Sequence, residues 1–299
     1  MSIEPRVVFQ DGIDAFLSRK ALVLGALFVV VGSLASVAVD SLGLALAESV
    51  LAAARQQGTV PADVQAEFDR LREQLAWAAD VSVADAVWVF VASVVAGEAT
   101  RIGAIRAFAD DDADDLSVEH FARRFLPVFA NRVVVAVLTA LVLAATAIPT
   151  LFLPSLVSEF LALVGLVPFC YVLVGVYFAS YAVTLDEDGP VEAFTRSWSL
   201  AAGNRTPLVL VAVGVLAVTL AFSLPTVVAL PLPTGTGSLA AAVAERPGGF
   251  AVAALAGAVA AVFRIAIATH AYRHLVERTG PTFDDRPDPT TRTDPDDAP

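Results

Sequence analysis

The sequence holds one lysine, one cysteine, one methionine and three histidines in 299 residues. The single cysteine, Cys170, excludes an intrachain disulfide. Histidine is too scarce to promise a metal site. His270 and His274 lie four apart in HAYRH, but no H-E-x-x-H glutamate and no third ligand stand nearby, and His120 is remote in sequence. The G-x-S-x-G, P-loop and G-x-G-x-x-G patterns are absent. Serines lack a histidine or lysine partner at a sensible depth. Asp40 and Asp85 fall at the outer ends of apolar runs and form no intramembrane pair. The chain therefore reads as a non-enzyme, with no catalytic residue, no metal and no cofactor. G-x-x-x-G is missing too, so no helix dimer is signalled that way.

Lysine is scarce while arginine is not: one Lys20 stands against 18 Arg. Asp outnumbers Glu, 20 to 11, and the net charge is −12. An Asp-rich, Lys-poor surface suits concentrated salt, which screens its self-repulsion. This points to an extreme halophile. So acidic a chain is a poor nucleic-acid binder.

What the sequence has in abundance is long apolar runs: 57% of residues are hydrophobic, and the charges are pushed into blocks. About 20 apolar residues cross a bilayer core. Six candidate spans follow, near 21–40, 83–107, 133–153, 160–183, 207–230 and 250–273. The 36–38 SVA does not make the first run a convincing cleaved signal. Arg and Lys gather at one set of span ends, from Arg6, Arg19 and Lys20 through Arg106, Arg124 and Arg205 to Arg273 and Arg278. That bias places both termini in the cytoplasm of a multi-pass cell-membrane protein. Residues 41–82 form a long outer segment. Within it PADVQAEFDRLREQLAWAA predicts an amphipathic helix starting at Pro61, with Val64, Phe68, Leu71 and Leu75 on one face. The acidic, proline-rich tail 279–299 is expected to be disordered.

A repeat organises the rest. VEHFARRFLPVFANR at 118–132 aligns without a gap to VEAFTRSWSLAAGNR at 191–205. Glu119, Arg123, Asn131 and Arg132 meet Glu192, Arg196, Asn204 and Arg205; Phe125 meets Trp198 and Ala130 meets Gly203. Pro-Thr follows near the outer end of the next span in both copies, at 149–150 and 225–226, and Gly-Pro closes both units. Residues 116–189 and 190–280 thus read as two copies of one unit: an inner amphipathic helix, a span out, a proline turn and a span back. Residues 4–110 fit the plan as a diverged first copy. Each unit has an even number of spans, so the units are parallel rather than inverted. The expected fold is all-α: a single transmembrane domain over 1–278, with six transmembrane helices in three parallel hairpin repeats and cytoplasmic interfacial helices.

The motif residues have a local reading. Glu192 and Arg196 are four apart and expected to pair, as are Glu119 and Arg123. Trp198 is expected at headgroup depth beside Phe194. Gly203 is expected to end the inner helix, Asn204 to cap the next span, and Arg205 to reach phosphates or carboxylates at the boundary. The expected partners are the bilayer and, at the cytoplasmic face, lipid headgroups or a membrane partner protein. The segment VEAFTRSWSLAAGNRTPLVLV resembles the R-S-W…G-N segment of uncharacterised six-span membrane families. These include haloarchaeal proteins and the membrane domain beside glycerophosphodiester phosphodiesterases. The resemblance implies a helical membrane module without an assigned activity; no soluble stretch here could hold the phosphodiesterase barrel.

Charges inside spans are functional candidates. Glu98 and Arg101 fall in the second candidate span and Arg264 in the sixth. Counting from Phe108 and Tyr272 puts Glu98 and Arg264 about 3 Å apart in depth. Glu98 is expected to face the bundle interior and to pair with Arg264 or Arg101. The alternative to a non-enzymatic module is a transporter or permease for a small solute or lipid using that polar site. Three tandem two-span units resemble mitochondrial carriers in outline, but their P-x-[DE]-x-x-[KR] signature is absent.

Overall fold

The computed structural model describes residues 4–56, 58, 60–75, 80–110, 116–150, 172, 175–186, 188–202, 204–227 and 249–279. Among these residues all regular structure is helical. In chain order the helices are α1 (Pro5–Phe16), α2 (Arg19–Gln56), α3 (Ala62–Gln74), α4 (Val83–Ala109), α5 (Val118–Ala122), α6 (Phe125–Thr150), α7 (Pro190–Ala202), α8 (Arg205–Val227) and α9 (Gly249–Thr279). A short turn, Ala179–Tyr181, winds into a π-helix at Ala182–Asp186 just before α7. Most of the fourth candidate span, the proline turns, Cys170, Gly203 and the acidic tail beyond Thr279 lie outside the described residues.

Four helices among the described residues are long and apolar enough to cross a membrane: α2, α4, α8 and α9. Their most apolar windows are buried by only 11%, 22%, 17% and 50% respectively. Large side chains such as Leu22, Val30, Trp88 and Leu210 face outward. A water-soluble bundle would turn such faces inward. Only α9 is half enclosed, and it packs on α1, α2, α4 and α8.

The buried core gathers at one end. It joins Val8 of α1, Ile102–Phe108 of α4, Phe178–Val183, Ala193 and Leu200 of α7, Leu208 of α8 and Ile265–Leu275 of α9. The short helices assemble this end. Helix α1 lies on α9 and α8, α5 on α4, and α7 on the π-wound segment. Close approaches let them seat. A Cβ at Gly12 would stand 2.9 Å from Ile267 Cα. A Cβ at Gly103 would overlap the ring of Phe121, and one at Gly175 the ring of Trp198.

Three expectations are corrected. Helix α2 runs 38 residues without a break, so 41–56 is helix rather than outer loop. In α3, Pro61 is the N-cap and not the first helical residue, and Val64 and Leu71 remain exposed. The third concerns the second unit, whose inner helix is only the five residues of α5. Arg124 then takes a left-handed φ of 56°, and helix restarts at Phe125 and runs through Asn131 and Arg132. Pro127 is the cause: inside a continuing helix it would clash one turn back, whereas in the first turn of a new one it is tolerated. The aligned residue in α7 is Leu200, and that helix continues to Ala202.

Candidate functional site

Helix α4 carries the buried charges. Ser82 caps it, its Oγ accepting the Asp85 N–H at 3.1 Å. Four turns on, Glu98 is 7% exposed. Both carboxylate oxygens take the Arg101 Nε–H at 3.1 Å, and Oε1 also takes Nη2 at 2.6 Å. Of the two partners anticipated for Glu98, the structure selects Arg101. Nη1 of Arg101 donates to Ser180 Oγ at 3.2 Å. One turn further, Arg106 donates to the Thr184 carbonyl at 3.4 Å and the His120 carbonyl at 3.1 Å. Two arginines of α4 thus reach the π-wound segment, Arg101 through the Ser180 hydroxyl and Arg106 through the Thr184 carbonyl.

Helix α7 grips the same segment from the other side, through the three residues of its R-S-W. Arg196 bridges Asp186 at 2.9 Å and Asp188 at 3.5 Å. Ser197 is fully buried, donates to the Gly175 carbonyl at 2.7 Å and accepts the Phe178 N–H at 3.1 Å. Trp198 lies over Gly175 and keeps 39% of its surface exposed. The expected Glu192–Arg196 pair is not formed. Glu192 instead accepts the Gly189 N–H at 3.0 Å at the start of α7, and the turn before the helix brings two carboxylates to Arg196. Asp186 also accepts from the Tyr272 hydroxyl of α9. Burial holds the Asp188 carboxyl above the usual carboxylate range; Arg196 opposes this, and Asp186 and Glu192 add to it. In the second unit α5 ends before Arg123, so Glu119 and Arg123 share no continuous helical face.

The remaining motif residues divide. Asn204 sits just before α8, as expected of a cap, but its Nδ2 donates backward to the Leu200 carbonyl at 3.3 Å. Arg205 is the first residue of α8. Asn131 caps nothing. It is fully buried within α6, and neither side-chain atom has a hydrogen-bond partner among the described residues. An orphaned amide costs about 1–3 kcal/mol per group.

Arg132 follows Asn131 and is exposed, as is Arg264 on α9. Tyr177 is 42% exposed. Beside it Phe178, Tyr181 and Tyr272 form a ring cluster with centroids 5.8–6.1 Å apart. The structure thus joins Glu98 to Arg101 and adds Ser180, which the sequence reading had not placed there; Arg264 is not part of that ion pair. A separate cavity of about 420 Å³ opens beside α1 and the end of α9, lined by Asp11, Asp14, Lys20, Asp110 and His274 among others. There His274 Nε2 meets Asp11 Oδ2 at 2.7 Å and ties α9 to α1.

Residues 6–275 match the family described as a domain of unknown function, DUF7847, and the chain belongs to that family. No curated protein and no solved structure matches it.

Proposed function

We propose that this DUF7847 chain is a non-enzymatic integral membrane module of six spans. Its three hairpin units point the same way, both termini lie in the cytoplasm, and its interfacial helices meet lipid headgroups or a membrane partner. The observation that carries this reading is the polarity of the bundle. Apolar helix faces point outward along α2, α4 and α8, while the tight core and the polar clamps lie at the arginine-rich end. Arginine and lysine at span ends mark the cytoplasmic side. The repeat is supported by the gapless alignment of 118–132 with 191–205. The acidic, lysine-poor composition fits a cell at high salt.

The second reading, a transporter, is favoured by one observation: a buried ion pair, Glu98–Arg101, lies in a membrane-length helix, and Tyr177, three residues before the Ser180 that Arg101 bonds, keeps 42% of its surface exposed. The two readings separate by labelling. With Cys170 replaced by serine, Tyr177→Cys is probed in sealed vesicles of either orientation with a membrane-impermeant maleimide. The module expects labelling from one side at most. Labelling from both sides means a water path through the bundle and overturns the module.

A further inference from the structure

We propose that His274 is a proton-operated latch: on taking up a proton it locks helix α1 to the end of α9 across the cavity between them. The ring stands between two carboxylates. Its Nε2 lies 2.7 Å from Asp11 Oδ2 on α1, and its Nδ1 lies 3.9 Å from Glu277 Oε2, one turn on along α9. The side chain is 23% exposed and lines the cavity of about 420 Å³, so protons from solvent reach it. The chain around it is jointed. Helix α2 is held at its start, where Lys20 Nζ donates to the Ala107 carbonyl at 3.3 Å and the Asp110 carbonyl at 2.7 Å. Helix α1 ends at Phe16, and only Leu17 and Ser18 join it to α2. Its apolar side is seated by Val8 and Gly12, with Gly12 against Ile267 of α9. Across the cavity, the side chain that reaches α1 from α9 is His274.

The chemistry of the ring gives the switch its sign. A neutral imidazole carries one N–H. Spent on Asp11, it leaves Nδ1 as an acceptor opposite a second acceptor, the Glu277 carboxylate. A proton turns both nitrogens into donors and sets a positive charge between two carboxylates. The Asp11 contact then becomes an ion pair, and Nδ1 gains a partner. Acid therefore tightens the latch, and alkali loosens it to a single hydrogen bond. Histidine is the side chain that ordinarily makes this change between about pH 5 and pH 8. The charges around the ring come from every side of the cavity: Asp11 and Asp14 of α1, Lys20 of α2, Asp110 at the end of α4, and His270, Arg273 and Glu277 of α9. Helix α8 lends no described charged residue to that lining. His270 is the other ring that can titrate there, so the test separates the two.

The latch does not depend on the membrane orientation proposed above. The test is hydrogen exchange read by mass spectrometry on the full chain in neutral detergent, at about pH 5.5 and about pH 8. Exchange is expressed relative to the unstructured rate at each pH, so that only the response of the folded chain remains. Residues 8–17 should be protected about threefold more in acid, the size of one partly exposed ion-pair contact. His274→Gln keeps a donor for Asp11 but takes up no proton, and it should remove the step. Glu277→Gln should reduce the step, and His270→Gln should retain it. Peptides of α7, which hold no histidine, should gain no protection in acid. Asp11→Asn should also abolish the step and serves if His274→Gln does not fold. Equal protection of wild-type α1 at the two pH values overturns the latch. So does a step that survives His274→Gln, is unchanged by Glu277→Gln, vanishes with His270→Gln or appears equally in α7.

Discussion

Glu98→Ala should destabilise the bundle by about 3–5 kcal/mol, because it strands a buried guanidinium without its counter-ion. The side chains of Glu98 and Arg101 are only 9% and 13% exposed, so solvent does little to compensate. Glu98→Gln keeps an acceptor for Arg101 and should cost less. The double change Glu98→Ala with Arg101→Leu removes both charges and should recover much of the loss, since a buried ion pair replaced whole is often near neutral. The readout is the thermal midpoint of purified protein in detergent, with gel filtration to report assembly. If Glu98→Ala and the double change melt alike, the pair is not the unit described here.

The second large effect is expected at Ser197. Its hydroxyl satisfies two backbone groups where the fourth candidate span loses its regular ladder, donating to Gly175 and accepting from Phe178. Ser197→Ala leaves a buried carbonyl and a buried N–H without partners, for a loss of about 2–4 kcal/mol. Ser199→Ala is the matched control. Ser199 is exposed and bonds only to the Arg196 carbonyl at 2.8 Å, so its removal should shift the midpoint little. Equal shifts for the two serines would mean that R-S-W does not hold the π-wound segment.

These predictions rest on contacts that the sequence shows unevenly. The apolar runs of α2, α4, α8 and α9 are legible because a span needs only length and composition. So is the Glu98–Arg101 pair, which follows from two residues three apart on one helix. The extent of α2 was missed, although no proline interrupts 41–56 and the first left-handed glycine is Gly58. What escaped the sequence depends on chain reversal. Arg196 meets carboxylates eight and ten residues before it, across the turn that opens α7, and helical spacing points only to Glu192. Ser197 looked like an ordinary small residue because its partners lie in the previous span. The two motif copies look alike in alignment, but Pro127 forces the second unit to break where the third continues.

Accessibility of single cysteines from the two sides of the membrane tests the central claim most directly. With Cys170 replaced by serine, Gln56→Cys, Val118→Cys and Val191→Cys are each placed at exposed positions. Cells are treated with a membrane-impermeant maleimide before and after permeabilisation. The account predicts that residue 56 labels in intact cells, while 118 and 191 label only once the membrane is opened. Labelling of 118 or 191 in intact cells, or protection of 56 there, would contradict parallel units with their tight core on the cytoplasmic side.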